Sequence, residues 1–115
     1  MFIVTGTLQA RADTVDEVLR LSIAYVAWTR AEPGCLEHSV AVDAVDGLRL
    51  VFFQRWADRA ALDAHLHEAA SREFVYRVAG LAAHAPQVAI YEAKDVVDAS
   101  EESKASEASL RERTG

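Results

Sequence analysis

Polar and apolar residues alternate over the first ten positions, with Phe2, Val4 and Leu8 on one side of an extended chain and Ile3, Thr5 and Thr7 on the other. A period of two is that of a β-strand, so Met1 to Ala10 reads as the first strand. The period then lengthens to three and four. Val15, Val18, Leu19, Ser22, Ile23 and Val26 form one stripe, with Tyr25, Trp28 and Arg30 near its borders, and predict a helix from about Val15 to Arg30. Asp13 or Thr14 supplies a capping oxygen, Asp16 and Glu17 suit the first-turn dipole, and Pro33-Gly34 stops the helix.

Alternation returns from Cys35 to Asp43, where Leu36, His38, Val40 and Val42 face one way and Glu37, Ser39 and Ala41 the other. Asp46-Gly47 reads as a hairpin turn with positive backbone angles. Leu48 to Trp56 is the partner strand, with Leu50, Phe52, Gln54 and Trp56 opposite in facing to Arg49, Val51, Phe53 and Arg55. Both faces therefore carry apolar groups. An antiparallel sheet with one face in water would show polar residues there, so the second face is expected to meet another subunit, its own helices covering the first. Asp58 caps a short helix from Arg59 to about His67, and a second helical stretch from about Ser71 to His84 carries Phe74, Val75, Val78 and Leu81 before Pro86 ends it. Val88, Ile90 and Tyr91 form the last strand. The order β-α-β-β-α-β predicts an α+β, ferredoxin-like domain with a four-stranded antiparallel sheet over residues 1–93, and residues 94–115 form an acidic tail, disordered or loosely helical.

Composition narrows the function classes. The 115 residues suffice for one domain, and 51% hydrophobic with 26% charged residues is a globular balance. A net charge of −6, with no cluster of Lys or Arg, lacks the footprint that gathers phosphates, so nucleic acid is an unfavoured partner. No apolar run approaches the about 18 residues of a membrane span, and the N-terminus is too soon interrupted for a signal peptide, so cytoplasm is the expected compartment. One cysteine makes no intrachain disulfide, and four scattered histidines spell out no structural zinc site. No glycine-rich phosphate loop and no GxSxG elbow is present.

Three ordered blocks stand out: Glu32-Pro33-Gly34-Cys35-Leu36, then Phe52-Phe53-Gln54-Arg55-Trp56, then Asp58-Arg59-Ala60-Ala61-Leu62-Asp63-Ala64-His65-Leu66. Together they resemble the antibiotic biosynthesis monooxygenase family, over about residues 1 to 93. The resemblance implies a dimeric α+β barrel, two sheets packed face to face, with a pocket in each subunit between sheet and helices. It also implies a reaction class: related proteins include cofactor-free oxygenases of quinols or polycyclic aromatic polyketides, and heme-degrading enzymes. Two departures are visible, Gln54 where the family commonly has glutamate, and a longer link, His67-Glu68-Ala69-Ala70, before Phe74. The heme-degrading branch relies on an Asn, a Trp and a His, and the nearest positions here are Gly6, His65 and the region around Val78, none of which fits.

His65 occupies the family position that faces the pocket, and a neutral imidazole accepts a phenolic proton, which makes an electron-rich substrate reactive toward oxygen. The alternative is a boundary residue bonded to backbone. His38 shares a strand face with Val40 and is either a satisfied core histidine or a pocket acid/base. Gln54 is placed to donate to a substrate oxygen. Trp56, Tyr25, Trp28, Phe74 and Tyr76 are expected to line the cavity, and for Trp56 plain packing is the stronger alternative. His67 and His84 are expected in solvent, and Cys35 as a small buried hydrophobe. The expectation is a homodimeric, cofactor-independent monooxygenase of an aromatic small molecule, with no metal. A non-enzymatic binding module of the same fold, and less so a heme binder, are the competing readings.

Overall fold

The computed structural model describes residues 1–96. The chain runs β1 (Phe2–Gln9), α1 (Val15–Thr29), β2 (Cys35–Val42), β3 (Arg49–Trp56), α2 (Arg59–His67), α3 (Ala69–Leu81) and β4 (Gln87–Glu92). Four antiparallel strands form one sheet, as expected, and their order is β2-β3-β1-β4. The helical region after β3 is two helices, since Glu68 takes an extended conformation between them, so the order is β-α-β-β-α-α-β. The second of these helices spans Ala69–Leu81 rather than about Ser71 to His84, and Ala82 already leaves it extended.

Register decides which residues meet the helices. Val4 lies opposite Gln54 and Gln54 opposite His38; Leu8 lies opposite Leu50, and Phe2 and Cys35 both opposite Trp56. Residues directly across a ladder share a face, so these eight form one surface, covered by α1, α2 and α3. The reverse surface carries Ile3, Thr5, Thr7, Ser39, Ala41, Val51, Phe53 and Tyr91, and among the described residues no helix packs on it.

Several local expectations differ from what forms. A register irregularity between Cys35 and Glu37 leaves Leu36 half exposed and puts Cys35 on the helix-facing side with His38, because a bulge shifts the alternation by one residue. Ile23 is exposed, since α1 rests on the sheet through Val18, Ser22, Val26 and Thr29. Two small hydroxyl residues in that stripe satisfy themselves: Ser22 and Thr29 donate to the carbonyls of Val18 and Tyr25. Thr14 begins α1 without capping it; its hydroxyl donates to the Leu81 carbonyl at 2.7 Å, tying the start of α1 to the end of α3. Gly47 needs no positive φ, which among the described residues is found only at Gly34. The hairpin is shaped by carboxylates: Asp43 accepts from the backbone N–H groups of Val45 and Asp46, and Asp46 from that of Leu48.

The core is divided. One cluster gathers Leu8, Ala10, Val18, Leu50 and Val78; a second gathers Val4, Trp56 and Leu62 with Phe2, Cys35 and Ala61 against it. Between them lies a belt of buried polar side chains, Gln54, His38 and His65. Most of the tail expected from residue 94 onward lies outside the described residues.

Candidate active site

The loop from α1 to β2 and the first turns of α2 build the site together. At Gly34 φ is +82°, a left-handed value that glycine adopts without cost, and an added Cβ would stand 2.4 Å from the Cβ of Ala61. Glycine therefore lets the loop lie directly on α2, and the Ala57 N–H donates to the Gly34 carbonyl at 2.9 Å. Asp58 fixes the start of that helix by accepting from the Ala61 N–H at 2.8 Å. One turn beyond Ala61, His65 arrives over the loop, where Glu32 waits.

His65 is 1% exposed. Its Nδ1 lies 2.9 Å from Glu32 Oε1, and its Nε2 lies 2.8 Å from the Tyr25 hydroxyl. A carboxylate only accepts, so Nδ1 carries the proton and donates to Glu32, which leaves the lone pair on Nε2 to accept the Tyr25 O–H. Ser71 Oγ stands 3.4 Å from both Tyr25 Oη and His65 Nδ1. The Trp56 ring packs 4.6 Å from the imidazole, and the Tyr25 ring stacks on Phe74 at 4.0 Å and 7°. His65 is thus neither backbone-bonded nor at a boundary. Burial raises the pKa of Tyr25 above the usual phenol value, so the hydroxyl holds its proton.

These groups border a cavity of about 130 Å³ between β1, β3 and α3. Apolar side chains dominate its wall, among them Val4, Leu8, Phe52, Val78 and Val88, and the polar groups that reach it include Tyr25, Gln54 and His65. Gly6 leaves part of the space open, since a Cβ there would begin to fill it at ordinary contact distance from Phe52. Trp56 Nε1–H donates to Gln54 Oε1 at 2.8 Å, and because indole is donor only, this orients the amide. With its oxygen engaged, Gln54 offers the cavity N–H donors.

The remaining expected residues fall apart from this group in different ways. His38 is 1% exposed and neither ring nitrogen has a partner, so it is an unsatisfied core histidine rather than a satisfied one. Burial, with His65 and Arg30 nearby, pushes its pKa down to about 4. It meets the site only through the edge of Tyr25, with ring centroids 5.4 Å apart. Trp56 is fully buried and packs with Val4 and Leu62, lining the site indirectly through Gln54 and His65. Trp28 is part exposed and borders a shallow outer groove with Tyr25, Phe74 and Leu21 rather than the cavity. Tyr76 is 82% exposed on α3 and lines neither space. His67 and His84 are exposed as expected, and Cys35 is partly buried against Trp56. Glu32 and Ser71 join the site without having been singled out as chemistry. The signal for Glu32 was its place before Pro33-Gly34; nothing in the spacing of Ser71 marked it. Among the described residues no three His, Cys, Asp or Glu side chains cluster as a metal site requires, and no helix is long and apolar enough to cross a membrane.

Comparison with known proteins agrees with the fold. The family model for antibiotic biosynthesis monooxygenases matches residues 1–77. The Synechocystis protein sll1783 is 33% identical over 89 residues, covering 77% of this chain, which spans 60% of that relative's length. A crystal structure described as an antibiotic biosynthesis monooxygenase is similar at 30% identity and a TM-score of 0.75, covering 83% of this chain and 100% of that one. Rv0793 of Mycobacterium tuberculosis follows at 27% identity and a TM-score of 0.77, covering 84% and 98% of the two chains. With the family match covering well over half of the sequence and carrying the same ferredoxin-like sheet, the chain belongs to the antibiotic biosynthesis monooxygenase family.

Proposed function

We propose that the protein is a cofactor-independent monooxygenase that oxidises a single-ring quinol, or a similar electron-rich phenol, with molecular oxygen. The observation that carries this reading is the chain of contacts from Glu32 through His65 to Tyr25 at the wall of a small apolar cavity. His65 is the base, and Glu32 opposite its Nδ1 stabilises the imidazolium formed when a phenolic proton arrives. Deprotonation raises the ring's electron density, so that one electron passes to oxygen. The radical pair then joins at a ring carbon as a hydroperoxide, and loss of water leaves a hydroxyquinone. Atoms balance as quinol plus oxygen giving hydroxyquinone plus water. The Gln54 N–H groups are placed to hold the substrate's second oxygen or the developing peroxide, and the apolar wall keeps water away.

Size favours one ring over several. The cavity of about 130 Å³ lies below the roughly 300–1,000 Å³ usual for drug-sized ligands and near an apolar cavity of about 150 Å³ that takes up benzene. A polycyclic polyketide would have to displace the Tyr25–Phe74 stack.

The working unit in this proposal is a homodimer. The uncovered sheet face, with Ile3, Val51, Phe53 and Tyr91, is more apolar than a solvated face requires, and a second sheet is the partner of matching shape. The decisive assay is oxygen uptake by metal-free, flavin-free protein given a panel of hydroquinones. Turnover is expected, and His65→Gln is expected to slow it by about 100-fold or more, the usual loss on removing a general base. Tight binding of an aromatic dye with a flat oxygen trace across the panel would instead establish a binding module.

A further inference from the structure

The geometry points to Tyr25, not His65, as the residue that takes the proton from the substrate, with His65 receiving it one step behind. The inference rests on the oxygenase reading and adds to it the identity of the group in contact with the substrate.

Donor and acceptor arithmetic leads to it. A neutral imidazole has one lone pair to offer, and the bond from Nδ1 to Glu32 places it on Nε2. That lone pair is occupied, because the Tyr25 hydroxyl lies 2.8 Å from it. His65 itself is 1% exposed, roofed by Trp56 on one side and Tyr25 on another. A substrate hydroxyl reaching Nε2 would have to expel Tyr25 from a ring stack on Phe74 at 4.0 Å. The His65 and Tyr25 side chains both border the cavity, but the Tyr25 oxygen spends its proton on Nε2 and keeps lone pairs of its own. Ser71 Oγ at 3.4 Å is too distant to claim them strongly.

Proton transfer then runs in one direction without any charge left on Tyr25. The substrate O–H bond breaks as its proton bonds to Tyr25 Oη; the Tyr25 O–H bond breaks as that proton bonds to His65 Nε2. The products are a substrate phenolate, an unchanged neutral tyrosine and an imidazolium facing the Glu32 carboxylate. Burial disfavours tyrosinate, which suits a group that passes a proton on and does not store a charge. Glu32 is a positioning residue in this scheme: it fixes the tautomer and orients the ring.

The test uses 4-nitrophenol, a single-ring phenol whose anion is yellow, at a pH where the free probe is protonated. Wild-type protein in excess is expected to convert bound probe to phenolate. Tyr25→Phe, which keeps the stack on Phe74, and His65→Gln are both expected to lose at least about nine-tenths of the signal, the effect of about a one-unit rise in the bound probe's pKa, while the probe still binds by equilibrium dialysis. Glu32→Gln is expected to weaken the signal, and Glu32→Asp to restore part of it. A phenolate signal that survives in Tyr25→Phe but not in His65→Gln would show direct transfer to His65 and overturn the relay, leaving the oxygenase reading standing. Absence of phenolate in wild type would overturn the relay as well. If phenolate forms through Tyr25 but no quinol consumes oxygen, the oxygenase reading falls and the relay stands. A second measurement needs no change at the site. The chain has three tyrosines, so in protein labelled at the tyrosine ζ-carbon the Tyr25 resonance is identified by replacing exposed Tyr76 and Tyr91 with Phe. It must move when 4-nitrophenol binds, and a stationary resonance refutes contact.

Discussion

At the scale of single residues, the polar belt between the two apolar clusters holds groups of opposite standing. His65, Gln54 and Tyr25 are bonded to one another or to close neighbours, whereas His38 is buried with both nitrogens unpaired. An unpaired buried polar group costs free energy that a side chain of similar shape without it would not, so His38→Leu is expected to stabilise the fold at neutral pH by about 1–2 kcal/mol in chemical denaturation. The same residue makes stability depend on pH. Its pKa in the fold is pushed down to about 4, below the value of an unfolded histidine, so on acidification the unfolded chain takes up the proton first. Stability is complete above about pH 6.5 and declines as pH falls from there toward 4, by up to about 3 kcal/mol if this group acted alone. His38→Leu should flatten that decline. A variant that is less stable than wild type at pH 7.5, or as acid-sensitive, would show that His38 has partners in solution.

At the scale of elements, the site depends on one joint. The α1–β2 loop touches α2 at Gly34 and Ala61, and the same approach holds Glu32 against His65. Gly34→Ala meets two obstacles, a left-handed φ and a methyl group 2.4 Å from another. The loop must lift, with an expected loss of about 2–4 kcal/mol by the sum of backbone strain and local overpacking. Because lifting it withdraws Glu32, oxygen uptake should fall more than stability alone would cause, which is checked by assaying well below the variant's melting temperature. Unimpaired turnover there would mean that Glu32 is dispensable. The division of the second helical region at Glu68 belongs to this scale too: α2 delivers His65, and α3 separately delivers Phe74, Ser71 and Val78. A single straight helix would not place His65 and Ser71, six residues apart, on one side chain cluster.

For the whole molecule, the uncovered sheet face sets the expectation of a dimer. Phe53 and Val51 lie near its middle, beside Thr5 and Thr7 of β1 and Ser39 and Ala41 of β2. Phe53→Asp puts a charge at the centre of the proposed interface without touching the helix side of the sheet. Sedimentation is expected to show wild-type dimers and variant monomers at micromolar concentration, since unpaired charge in an interface core costs several kcal/mol. A monomeric wild type would end the dimer proposal while leaving the cavity and its polar groups intact.

The elements and their faces could be read directly along the chain, because periods of two and three to four are local properties. β1, α1, β3 and the cap at Asp58 sit where alternation and end signals put them, and the three short blocks were enough to mark the family. The failures of local reading are also local in origin: a bulge that displaced Leu36, carboxylates that shaped the hairpin in place of a positive-φ glycine, and an α3 that starts at Ala69 and ends at Leu81, short of His84. The chemistry lay beyond such reading. Glu32 and Tyr25 lie 33 and 40 positions before His65, and no periodicity relates residues that far apart. Only packing brings a loop, two helices and a strand to one point. There it determines which nitrogen of His65 holds a lone pair, which histidine goes without a partner, and how much room remains for a substrate.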